Sequence, residues 1–374
     1  MNRKRLKAGC LERVGSHFGL RGDFAEGTSW GSGHINDTFC VAYDQAGKRV
    51  RYIHQRLNTE VFGDPAALMR NVERVCDHIA GKTARAASKE GELRRALRLI
   101  RARDGNPFWV DAAGDCWRTF AYIEGAITRD VIKTVDEAHE VAKEFGRFQA
   151  MLSDFPVDGL VEIIPDFHNT RKRLEALKSV IEDDPVGRVS RAGFEIDFVI
   201  SREPLARILL DLYDSGDIPL RITHNDTKSN NVLLDARTGE GICVIDLDTV
   251  MPGCSLYDFG DLVRTAVSPT VEDERDLDKI RVRPGIFEAL AQGFFSTAGA
   301  FLNDIERDHM VMAGMVISYE SGIRFLTDFI GGDHYFKTTR DDQNLDRCRA
   351  QFALVRSLGK QERELRAIVA RLHG

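Results

Sequence analysis

The densest group of chemistry-bearing residues is His224-Asn-Asp226-Thr-Lys228-Ser-Asn-Asn231, followed after an apolar run by Ile245-Asp246-Leu-Asp248. Asp226 comes after a strand-like run, Arg221-Ile-Thr223, and a histidine, which places it on a tight loop. Asn231 stands five residues later, beside Val232-Leu-Leu234, and Asp246 ends the run Ile242-Cys-Val-Ile245. A hairpin of the two apolar runs would bring Asp226, Asn231 and Asp246 to one end. Two carboxylates and an amide oxygen make an all-oxygen set, which suits Mg²⁺ alongside phosphate and water. The remaining carboxylate could accept a hydroxyl proton, the base role in phosphoryl transfer. Any one of these residues alone would read as a turn or cap residue; the three in this order point to a site.

The elements that must hold this segment can be read from periodicity. Residues 1–20 have helical spacing at Leu6, Cys10, Leu11, Val14 and Phe18. Thr38–Tyr43 and Val50–Ile53 are strand-like around a turn at Asp44–Gly47, and a glycine loop, Gly31-Ser32-Gly33, precedes them. Residues 64–80 predict a helix with Leu68, Val72, Val75, Cys76 and Ile79 on one face. Leu97–Ile100 and Trp117–Ile123 are further strand candidates. Beyond Glu124-Gly125 the pattern turns helical, at 135–152, 168–182, 286–302 and 309–330, with one strand-rich island at 221–248. This predicts an α+β protein of two unequal lobes, residues 1–124 and residues 125–374.

Composition narrows the function class. The 374 residues carry 52 Lys+Arg against 58 Asp+Glu, a net charge of −6, with 43% hydrophobic residues, which suffices for a sizeable core and excludes a disordered or collagen-like chain. A pI near 6.0 argues against nucleic acid as the main partner. No apolar run reaches the roughly 18 residues of a membrane span. The basic N-terminus lacks the apolar stretch of a secretory signal. Seven scattered cysteines without a C-x-x-C pair read as reduced thiols in a cytoplasm. Ala80-Gly81-Lys82-Thr83 fails as a Walker A motif because Cys76 stands where the first glycine is needed. No zinc-ligand spacing is present.

The pattern H-x-D-x₄-N followed by Ile-Asp resembles the aminoglycoside phosphotransferase and choline kinase superfamily, whose fold is protein-kinase-like. The segment Gly253-Cys-Ser-Leu-Tyr257-Asp258-Phe-Gly260-Asp261 is similar to that superfamily's G-D-P-x-Y-D-L-A, matching at Gly253 and Asp258 but not in the G-D-P triplet. Within it, the chain is most similar to the N-acetylhexosamine 1-kinases. That similarity rests on Gly33–Phe39, Ile53–Asn58, His224–Asn231, Ile245–Gly253 and Gly322–Lys337.

The resemblance implies a small β-rich N-lobe, a larger mainly helical C-lobe, and ATP-dependent phosphorylation of the anomeric hydroxyl of N-acetylglucosamine or N-acetylgalactosamine. By it, Asp226 is the catalytic base, Asn231 and Asp246 hold Mg²⁺, and Asp258 supports the loop. Asp248 either assists the metal or bonds a backbone N–H. Lys228 either offsets charge on the moving phosphoryl group or is a solvated lysine. Gly31-Ser32-Gly33 is either a loop over the ATP phosphates or an ordinary turn. The third-strand lysine of kinases is missing; Gln55 and Arg56 stand there, alternation lets one of them face the cleft, and a cation favours Arg56. Glu73 could pair with that cation or be solvated. Phe120–Glu124, with Tyr122 and Glu124, would form the adenine hinge. Arg324 and Tyr335 would hold the sugar. The alternatives are a kinase for another hydroxyl acceptor (another sugar, a choline- or homoserine-like alcohol, an aminoglycoside) and a nucleotide-binding pseudokinase. No nucleic-acid or membrane partner is expected, and the sequence sets no oligomeric state.

Overall fold

The computed structural model describes residues 8–31, 35–86 and 94–373. The chain forms two compact units, Met1–Ala126 and Ile127–Gly374. The first contains α1 (Ala8–Ser16), β1 (Asp23–Ser29), β2 (Asp37–Gln45), β3 (Lys48–Arg56), α2 (Pro65–Ala86), β4 (Leu99–Ile100), β5 (Trp109–Val110) and β6 (Cys116–Ala121). Its antiparallel sheet runs β1-β2-β3-β6-β4, with β5 on β6. The β2–β3 turn carries two consecutive left-handed residues, Ala46 at φ 54° and Gly47 at φ 82°. That is the backbone twist a tight hairpin needs. Phe39, Val41 and Tyr43 alternate along β2 into one core with Leu11, Val14, Phe18 and Trp117. Strand β1 was not expected: Asp-Phe-Ala-Glu-Gly-Thr-Ser lacks apolar alternation and is largely exposed.

The short β7 (Ala126–Ile127) marks the division of the chain. The second unit is mainly helical: α3 (Val135–Leu152), α4 (Thr170–Asp183), α5 (Gly193–Ile200) and α6 (Ile208–Asp214) precede the strand island. The island is β8 (Arg221–Thr223), β9 (Val232–Asp235), β10 (Gly241–Val244) and β11 (Met251–Gly253). Then come α7 (Ser255–Ala266), α8 (Pro284–Ala298), α9 (Asp304–Asp308), α10 (Met310–Gly331) and α11 (Gln343–His373). Strand β9 pairs antiparallel with β10, and β8 with β11. Helix α3 starts where its signal stands, with Thr134 and Glu137 forming a reciprocal capping box.

Helix α10 is the unit's centre. Tyr319, Ile323, Leu326, Phe329 and Ile330 pack with Leu174 and Leu177 of α4 and with Cys348 and Phe352 of α11. A Cβ at Gly322 would lie 2.3 Å from the Phe352 ring, so this helix pair needs glycine there. The β-rich first unit and helical second unit match the α+β expectation. No described helix is long and apolar enough to cross a membrane.

Candidate active site

Strand β8 delivers His224, Asn225 and Asp226. The His224 ring is buried, edge-on to Phe145 and Phe148 at 5.5 and 5.7 Å. Its Nε2–H donates to the Ile245 carbonyl at 3.0 Å, and its Nδ1 accepts the Asp226 amide at 3.3 Å. Asn225 is left-handed at φ 65°, a conformation Asn tolerates better than most residues. Its side chain donates to the Thr249 carbonyl at 2.9 Å and accepts from Thr223 Oγ1 at 2.9 Å. A Cβ at Gly253 would meet that Thr223 hydroxyl at 2.3 Å, which accounts for glycine at this position.

Asp258, buried on α7, accepts the His224 amide at 3.0 Å, the Asn225 amide at 2.7 Å and Gln149 Nε2 at 2.6 Å. Thr227 Oγ1 donates to the Asp258 carbonyl at 2.6 Å. Burial pushes the Asp258 pKa up, against the pull of His224, the two amides and Gln149. A single carboxylate thus fixes the main chain just before the loop's partly buried carboxylate, Asp226.

The Asp226 carboxylate faces Lys228 Nζ at 2.8 Å and Asn231 Nδ2 at 3.3 Å. Burial would raise its pKa, but the Lys228 ammonium, with His224 and Arg264, holds it below the ordinary carboxylate value. It is therefore an ionised, hydrogen-bonded carboxylate whose side chain remains a quarter exposed. The hairpin registers Val232 against Val244, and the Ile245 amide donates to the Asn231 carbonyl at 2.9 Å. Asp246 follows in left-handed conformation at φ 61° on the exposed side, whereas Asp248 is buried.

Asn231 uses its N–H groups on Asp226, so its Oδ1 is the atom offered with the Asp246 carboxylate. No group of three His, Cys, Asp or Glu among the described residues could hold a metal. Two oxygen donors fit Mg²⁺, which keeps water and phosphate in its shell.

On α10, the Arg324 guanidinium lies against three rings: Phe167 at 5.1 Å, Phe336 at 5.5 Å and Tyr335 at 5.8 Å. Tyr335 is exposed. The loop carrying it is set by Asp328, whose carboxylate accepts the amides of His334, Tyr335 and Phe336 at 2.9, 2.8 and 2.9 Å. Asp328 escaped the sequence reading, although it follows Arg324 by one helical turn, just before the Gly331-Gly332 that ends the helix.

Among the first unit's candidates, Gly31 is left-handed at φ 76° with open space where a side chain would go, while Ser32 and Gly33 lie outside the described residues. Arg56 is held by Asp37 at 2.5 Å and by Asp115 at 3.0 Å. Glu73 pairs with Arg101 and not with Arg56, because β3 turns Arg56 toward the β2 and β5–β6 carboxylates. Gln55 accepts from the buried Arg118 at 2.9 Å. Arg51 lies over the Tyr122 ring at 3.9 Å and pairs with Glu124. The Tyr122 amide donates to the Arg51 carbonyl at 3.2 Å, and the Glu124 carbonyl accepts Arg94 at 2.6 Å.

Solved kinase structures match over nearly the whole chain. An aminoglycoside phosphotransferase from Alicyclobacillus acidocaldarius is 13% identical, with a TM-score of 0.63 over 99% of this chain and 98% of that one. A microcompartment-associated aminopropanol kinase is 15% identical, with a TM-score of 0.56 over 96% and 98%. A choline kinase from Cryptosporidium parvum is 15% identical, with a TM-score of 0.53 over 96% of each chain. At such identities the likeness is one of fold. Residues 26–291, more than half of the chain, match the family described as phosphotransferase enzyme family. The matched span includes the Asp226 loop, the β9–β10 hairpin and Asp258. The chain belongs to the phosphotransferase enzyme family and has its kinase-like fold.

Proposed function

We propose that this small-molecule kinase moves the γ-phosphoryl group of ATP to the anomeric hydroxyl of an N-acetylhexosamine. The observation that carries the reaction type is Asp226: an ionised carboxylate, hydrogen-bonded by Lys228 and Asn231, on a loop whose main chain is fixed by buried groups. In the proposed step Asp226 orients the hydroxyl and takes its proton. The hydroxyl oxygen forms a bond to the γ-phosphorus as the bond to the ADP oxygen breaks. Lys228 lies where it can offset charge on the transferring group. Asn231 and Asp246 would hold Mg²⁺, which when bound supplies positive charge to the phosphate oxygens. Gly31, Ser32, Gly33, Arg56, Tyr122 and Glu124 are assigned to the nucleotide.

The acceptor assignment rests on the similarity around Gly322–Lys337 and on Arg324. The Arg324 guanidinium makes only ring contacts with described residues, so its N–H groups are available to sugar oxygens or an acetamide carbonyl, with Tyr335 beside it. A second guanidinium, Arg173, lies close enough for Arg324 to depress its pKa, after burial, which does so more strongly. Two cations there disfavour the positively charged amino alcohols and aminoglycosides. Seven free thiols support a reducing, cytoplasmic setting.

The test is an acceptor screen: protein, Mg-ATP and a panel of N-acetylhexosamines, other hexoses, amino alcohols and aminoglycosides, read by mass spectrometry for added phosphate. The expected product is an acid-labile N-acetylhexosamine phosphate. Transfer to another acceptor would keep Asp226 as base and remove the sugar assignment. ATP binding without transfer to any acceptor would favour a pseudokinase.

A further inference from the structure

We propose that His168, as a buried imidazolium clamped by Glu320, is a positioning residue that holds the Asn225 carbonyl and thereby the Asp226 base. The inference rests on the kinase reading and adds a residue far from the motif. His168 sits just before α4 and is buried. Its Nδ1 lies 2.8 Å from Glu320 Oε1, and its Nε2 lies 3.1 Å from the Asn225 carbonyl. A main-chain carbonyl only accepts, and so does the Glu320 oxygen that faces the ring. Both ring nitrogens must therefore carry protons to make both bonds. Thr170 Oγ1 donates to the other Glu320 oxygen at 2.6 Å. Asn225 is the left-handed residue immediately before Asp226, and its amide is already fixed by Asp258. With His168 on its carbonyl, both ends of its strained backbone are tied.

The groups facing His168 agree with this charge state. Glu320 approaches from α10, and Asp261 and Tyr257 from α7, with the Tyr257 ring 4.9 Å from the imidazole. Beyond Glu320 lie the Arg324 and Arg173 guanidiniums, and Asp261 is itself paired with Arg264 at 2.7 Å. Burial pulls the His168 pKa down, and Glu320, Asp261 and the Asn225 carbonyl more than offset it, so it lies above the usual histidine value. Glu320 and Arg324 stand one turn apart on α10, and Phe167, whose ring meets Arg324, is the residue before His168. One helix face thus supports both the candidate acceptor residue and the candidate base.

The pH dependence of kcat tests this, using whichever acceptor the screen returns. Wild type should lose kcat on the alkaline side as the imidazolium loses its proton. In E320Q that loss should begin at least about one pH unit lower, because the opposite charge is gone. H168Q should lower kcat about 10–100-fold, with the KM for ATP within about two-fold, because a displaced base costs rate and not nucleotide affinity. An H168Q enzyme with wild-type kcat, or an E320Q profile superimposable on wild type, would overturn the proposal. Should H168Q fail to fold, ¹⁵N-histidine NMR of wild type decides: both His168 nitrogens protonated at pH 7 supports the clamp, and a single N–H rejects it. If wild type phosphorylates no acceptor, the kinase reading fails, and the same NMR readout still decides the ring's charge.

Discussion

His54 in the first unit and His168 in the second are both buried, yet they are held in opposite charge states. His54, on β3, has Thr119 Oγ1 at 2.8 Å on one nitrogen and no described partner on the other. The Phe18 ring lies 6.0 Å from it, and that bare nitrogen and the Tyr43 hydroxyl, also without a described partner, both flank Gly15. His168 is also buried but lies between a carboxylate and a carbonyl. Burial alone therefore does not set charge; the partners on both ring nitrogens do. The same contrast separates the candidate site residues. The main chain leading into Asp226 is fixed from other elements of the second unit: α3 through Gln149 on Asp258, α7 through Asp258, and the start of α4 through His168. In the first unit, Arg56, Tyr122 and Glu124 are tied to neighbours on their own sheet, at partly exposed positions. Rigid support surrounds the proposed chemistry, and adjustable ion pairs surround the proposed nucleotide contacts.

The sharpest break of this contrast is Asp226→Asn. The amide keeps the shape and loses the proton acceptor, so kcat should fall by about 10³-fold or more. ATP binding by calorimetry should stay within a few-fold. A variant with near-normal turnover would remove Asp226 as base and leave its pairing with Lys228 as a structural feature.

The legible part of the site was the part carried by local chain. His224 to Asn231 and Ile242 to Asp246 are short segments, and one hairpin register brings Asn231 and Asp246 together. Helix α3 was legible because its cap and apolar spacing lie within its own residues. The support was not. Glu320 and His168 are 152 positions apart, and His168 and Asn225 are 57 apart, so no spacing rule joins them. The Glu73–Arg56 pairing failed for the same reason: Asp37 and Asp115, from two other stretches of the sheet, reach Arg56 first. Ser32 and Gly33 of the glycine loop lie outside the described residues.

His54 supplies the second test, on stability. Its pKa falls from 6.5 to about 4 because burial disfavours the charged ring. Between those values the unfolded chain binds a proton that the folded chain refuses. Stability is therefore complete above about pH 6.5 and declines as pH falls toward 4, by about 3 kcal/mol from this group. His168 has the opposite sign: its contribution is present below the ordinary histidine value and is lost as pH rises through its raised pKa. Urea unfolding of wild type and His54→Gln from pH 7.5 to 4.5 would show a shallower acid decline in the variant. Equal slopes would mean that His54 does not titrate with unfolding.

Arg56→Ala carries the smallest expected effect. The guanidinium is a third exposed and shared by Asp37 and Asp115. Burial disfavours its charge, and the two carboxylates more than restore it. A cation already answered by two anions has less to give a phosphate than a free one. The KM for ATP should rise about 2–10-fold with kcat nearly unchanged, and Arg56→Lys should recover part of the loss. An unchanged KM would remove Arg56 from the nucleotide contacts and leave it as a tie between β2, β3 and the turn before β6. A rise beyond about 30-fold would show that the two aspartates release the guanidinium when ATP binds, making the first unit's ion pairs a latched counterpart of the second unit's fixed loop.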